Sequence, residues 1–158
     1  MDQKKLSGWL RLIIAGCAVC GVALFALLLP KWLLSMAQAH PGYQPWAWAG
    51  CMWAAAVPCY GVLICVARIA REIGADHSFS VGNARMLKIV AMLALGDAGF
   101  IFLATVLLCL IEKGTPAILP VIGAFVVFVG VAVSVAAACL SHLVLKAAKL
   151  QEDSDLTI

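Results

Sequence analysis

Charged positions in this chain are gathered into short clusters, and long apolar runs lie between them. From Leu12 to Pro30 there are 19 residues without Asp, Glu, Lys or Arg, and from Gly114 to Leu145 there are 32. About 20 apolar residues cross a hydrocarbon core of roughly 30 Å, so the pattern predicts membrane helices. Four spans are expected, at about 10–35, 46–70, 85–112 and 116–146, followed by a short acidic tail over 150–158. The backbone must satisfy its own hydrogen bonds in lipid, and an all-α four-helix transmembrane bundle in a single domain is the economical solution. The first run is followed by Pro30, Lys31 and Trp32 and has no small-residue cleavage site, so it is read as a retained span.

Composition agrees: 65% of the residues are hydrophobic and 12% charged, too few to cover a water-soluble globule. Charge then orients the spans. Lys4, Lys5, Arg11, Arg68, Arg71, Arg85, Lys88, Lys146 and Lys149 fall on one side of the predicted topology, with only Lys31 and Lys113 on the other. The positive-inside bias makes the first side cytoplasmic and both termini cytoplasmic, as expected for the cytoplasmic (inner) membrane of a bacterium. The net charge of +3 is explained by that topology, and no direct nucleic-acid binding is expected.

Trp46, Trp48 and Trp53 suit the headgroup level after the turn-rich stretch His40, Pro41, Gly42, Pro45. The seven cysteines all lie in apolar runs, where Cys acts as a small hydrophobe; Cys17 and Cys20 have a redox spacing but no flanking cation. The short connection Glu112 to Pro116 makes the third and fourth spans antiparallel neighbours. Small residues at Gly123, Gly130, Ser134, Ala138 and Ser141 favour close packing there.

Three places carry candidate chemistry. In the middle loop, Ser80 is an N-cap for the third helix with Asn83 at its third position, while Phe79 and Ala84 take the flanking staple positions. His77, with Asp76 and Ser78, is the loop's candidate contact to a ligand or partner. Asp97 interrupts the third span about 13 Å beyond Lys88, counting 1.5 Å per residue. Ser134, Cys20 and Cys59 fall near the same level, so Asp97 and Ser134 form the candidate intramembrane polar site. A carboxyl at that depth serves either as a structural hydrogen-bonding group or as a site for a proton, a cation or a cationic ligand. In the tail, Glu152, Asp153 and Asp155 suit a basic surface and Leu156 and Ile158 suit apolar pockets, the makings of a docking peptide. The alternative for the tail is a solvated end. No paired carboxylates, nucleophile–base pair or phosphate loop occurs, so neither enzymatic activity, a cofactor nor a metal site is expected.

Two stretches in register, His77 to Lys88 and Glu152 to Ile158, resemble the bacterial four-span membrane family catalogued as domain of unknown function 2975. The resemblance implies a non-enzymatic membrane protein working as a regulatory or sensory partner. Its implied partner, besides the lipid bilayer, is a small cytoplasmic helix-turn-helix transcriptional regulator. The competing expectation is a small ion- or proton-coupled carrier using Asp97, which at this size would act as a homo-oligomer.

Overall fold

The computed structural model describes the backbone of residues 3–40, 42–73, 80–112 and 114–155, and the side chains of 8–40, 42–72, 80–112 and 114–150. Every regular element among them is helical. A first rod comprises α1 (Gln3–Ala23), a π-helical turn (Leu24–Leu28) and α2 (Leu29–Ala39). Then come α3 (Pro45–Ile73), α4 (Val81–Ile111) and α5 (Ile118–Asp155). Four segments are long and apolar enough to cross a membrane: Gly8–Ala39, Pro45–Glu72, Val81–Ile111 and Ile118–Leu150. This is an all-helical multi-pass membrane protein.

The π turn in the first rod has a local cause. Leu29 donates its N–H to the Leu24 carbonyl five residues back, and the next donor in that register would be Pro30, which has none. The Phe25 carbonyl is therefore orphaned, and the Trp53 indole from α3 supplies a donor at 3.1 Å. A backbone defect thereby becomes a tie between two helices. Tyr60 makes a second tie, donating to the Ala18 carbonyl at 3.2 Å beside Gly21. These pairs run antiparallel, and α1 touches only α3 beyond its own rod.

The closest contact is between α4 and α5. Ser134 Oγ donates to the Ala91 carbonyl at 2.8 Å, and seven residues on Ser141 Oγ donates to the Ala84 carbonyl at 2.7 Å. On the same seam, Gly130 faces Ala98 and Gly123 faces Thr105. The spacing of seven keeps one stripe of each helix on its partner, as in a left-handed pair. The register selects Ala137, which is buried, and leaves Ala138 exposed, so the expected stripe shifts by one residue there.

Packing is therefore sequential: the first rod lies on α3, α3 on α4, and α4 on α5. Ser80 joins α3 to α4. Its Oγ accepts from the Asn83 N–H at 3.1 Å and donates to Glu72 at 3.2 Å, so one hydroxyl caps α4 and holds the end of α3. The Glu72 carboxylate also lies at the positive end of the α4 dipole. The antiparallel order gathers Arg11, Arg68, Arg71, Arg85, Lys88, Lys146 and Lys149 at one end of the molecule, with Lys31 toward the other.

Candidate functional site

Asp97 is carried by α4 and turned toward α3, where the Cys59 thiol donates to its Oδ2 at 3.5 Å. A thiol is a weak donor, and the other oxygen, Oδ1, is buried with no hydrogen-bond partner among the described residues. Pro58 precedes Cys59 inside α3. Lacking an N–H, it removes the usual helical donor from the Ala54 carbonyl four residues earlier. No described side chain replaces it, unlike the Phe25 carbonyl that Trp53 serves.

Two crevices meet at this carboxyl. One, about 320 Å³, runs between α3 and α5 over the surface of α4, walled by Val62, Leu63, Val126 and Val129. The other, about 290 Å³, lies between α3 and α4 and is bordered by Ala54, Pro58, Met92, Gly96 and Phe100. Apart from Asp97 and the Cys59 thiol, the side chains that line them are apolar. Such an arrangement suits a ligand that is mostly hydrocarbon and carries one polar group.

Ser134 does not share this site. Its hydroxyl is buried in the α4–α5 seam on the Ala91 carbonyl, almost two helical turns before Asp97, and it lines neither crevice. Serine in a lipid-buried helix takes the nearest exposed carbonyl, and close helix approach brought one within reach. Cys20 is exposed on the first rod, which does not reach α4. Of the residues expected at that level, only Cys59 meets Asp97.

In the loop, Ser80 and Asn83 form the cap described above, and Ala84 is buried; His77 and Phe79 lie outside the described residues. In the tail, the α5 backbone is helical through Asp155, which includes Glu152 and Asp153; their side chains, and Leu156 and Ile158 entirely, lie outside the described residues.

A second polar centre, not foreseen from the sequence, closes the opposite end. Trp48 is 1% exposed and donates its indole N–H to Glu112 at 3.0 Å. Leu33, Tyr43, Ala49 and Leu119 pack around it, joining α2, α3 and α5. The Tyr43 hydroxyl is buried without a partner among the described residues. Burial, and then the Glu112 charge, push its pKa up to about 12. Trp46 and Trp53 are exposed, but Trp48 is core. The available signal was a Glu at the end of an apolar run facing a Trp-rich helix start.

The helices and these two polar centres define a small multi-pass membrane protein. The chain belongs to the family described as protein of unknown function (DUF2975), whose profile matches residues 33–158. The match omits α1, which α3 alone holds beyond its own rod. Comparisons with curated proteins and with solved structures gave no match.

Proposed function

We propose that this protein is a non-enzymatic regulatory or sensory partner in the bacterial cytoplasmic membrane. Both termini and the α3–α4 connection face the cytoplasm, and the end of α5 with its tail binds a small helix-turn-helix regulator. The observation that supports this reading is the length of α5. Its 38 residues make about 57 Å of helix against a hydrocarbon core of roughly 30 Å. The acidic segment thus stands clear of the membrane on a continuous helix, at the end where the basic residues gather. Anionic lipid repels it, and a basic DNA-binding surface attracts it.

Truncation after Gln151 is expected to abolish co-purification of a basic DNA-binding protein from the native host while leaving membrane insertion and thermal stability unchanged. Serine at Leu156 and Ile158 should weaken the same capture, and added salt should weaken that of the parent. Equal recovery with the full and truncated forms would remove the tail from the proposal.

The orientation has its own test. Gly42 sits at φ +91° and would be strained as any other residue, so the neighbouring exposed Gln44 is the better labelling position. In a cysteine-free background, Gln44→Cys is expected to react with an impermeant thiol reagent added outside cells, and Ser154→Cys to react only after lysis. The opposite pattern would invert the topology.

Asp97 supports a second reading, a proton- or cation-coupled carrier. It brings a carboxyl whose Oδ1 has no partner among the described residues to the meeting point of two crevices. On that reading, Asp97→Asn removes ion-dependent flux in proteoliposomes.

A further inference from the structure

The α3–α4 crevice is bordered by two residues that each carry an oxygen without its normal donor. Among the described residues, Asp97 has only the Cys59 thiol on Oδ2 and nothing on Oδ1, and Ala54 has lost its helical N–H to Pro58. Both residues border the same space of about 290 Å³. The carboxylate torsion of aspartate is broad, so a small rotation presents either oxygen to that space. Its mouth is hydrocarbon, with Met92 59% and Phe100 42% exposed toward the lipid.

We propose that this crevice binds the ammonium end of a membrane-partitioned aliphatic amine, with Asp97 and the Ala54 carbonyl as its acceptors and the chain running out past Met92 and Phe100. The chemistry of the site selects that class. A carboxylate at this depth is costly unless a cation lies on it. A primary ammonium carries three donors, enough for the carboxylate and the carbonyl together. A hard metal ion such as calcium asks for six to eight oxygens, and this crevice presents far fewer. An uncharged alcohol would fit the walls but leave the carboxylate uncompensated, and a fatty acid would set two carboxylates against each other. The assignment rests on the crevice and is independent of what the α5 tail binds.

The test is titration of the full-length protein in lipid nanodiscs with n-octylammonium, with n-octanol as the uncharged control, followed by thermal unfolding. Saturable stabilisation is expected with the amine and none with the alcohol. Asp97→Asn keeps the shape and removes the charge, and should weaken the amine by about tenfold or more. Gly96→Leu tests the same space without touching the carboxyl. Gly96 borders the crevice and a Cβ there meets nothing within 4 Å, so the helix accepts a side chain and leucine is expected to occupy the space. That variant should unfold like the parent without ligand and lose the response to amine. Equal responses to amine and alcohol, or an undiminished response in either variant, would overturn the proposal; should Asp97→Asn fail to fold, Gly96→Leu alone decides.

Discussion

Leucine in place of Gly130 is expected to force α4 and α5 apart and to lower thermal stability sharply. Even the first added atom is too close. A Cβ at Gly130 would lie 3.0 Å from the Ala98 Cβ, which is fixed to its helix backbone and cannot swing aside, with the Ala94 carbonyl oxygen already in contact at 3.5 Å. Overpacking of this kind costs about 1–3 kcal/mol where side chains can rearrange, and the upper end or beyond applies where backbone must move. The hydrogen bonds on the same seam matter less. Interhelical hydrogen bonds in membranes average about 0.6 kcal/mol, so alanine at both Ser134 and Ser141 should cost only about 1 kcal/mol. Gly99→Leu is the control, because a Cβ at Gly99 meets nothing within 4 Å. Circular dichroism melts of the three variants in one detergent decide the matter. If Gly130→Leu melts with the parent, close approach is not what holds α4 to α5.

The second large effect is expected at Trp48. Truncation to alanine empties the centre of the Leu33, Tyr43, Ala49 and Leu119 cluster, at a cost of about 3–5 kcal/mol. Trp48→Phe separates the parts. It keeps most of the apolar volume but leaves the buried Glu112 carboxyl without the indole donor at 3.0 Å. Hydrogen bonds to charged groups are worth about 1.5–3 kcal/mol, and Trp48→Phe should fall in that range. In the Trp48→Phe background, Glu112→Gln should cost less than it does in the parent, the coupling expected of direct partners. Additive melting shifts in that double-mutant cycle would dissolve the pair. Tyr43 adds a pH signature. Its pKa rises from 10.0 to about 12 on folding, so its contribution is complete below pH 10 and is lost as pH climbs toward 12. Tyr43→Phe should remove that alkaline component from the stability profile.

Much of the architecture was legible in the chain because the bilayer sets a length scale. Runs of 19 and 32 uncharged residues have few other uses, and each turn cluster between runs fits a helix end. The α4 cap was legible for a local reason, since Ser80 needs only its own neighbours to reach the Asn83 N–H. The shortness of the connection after Ile111 likewise required α4 and α5 to be antiparallel neighbours.

What the sequence could not determine was azimuth. In a soluble helix the apolar face marks the interior, but in lipid the outward face is apolar too, so periodicity does not say which side meets a partner. The expected small-residue stripe therefore included Ala138 where the seam uses Ala137, and Ser134 was placed with Asp97 when its hydroxyl belongs to Ala91. For the same reason the pairing of Cys59 with Asp97, 38 residues apart, and of Trp48 with Glu112, 64 apart, appears only after the helices have rotated into contact. Length and charge along the chain determine how many times it crosses the membrane. Which oxygens are left without donors, and which crevice they share, is decided by the packing of α3 on α4.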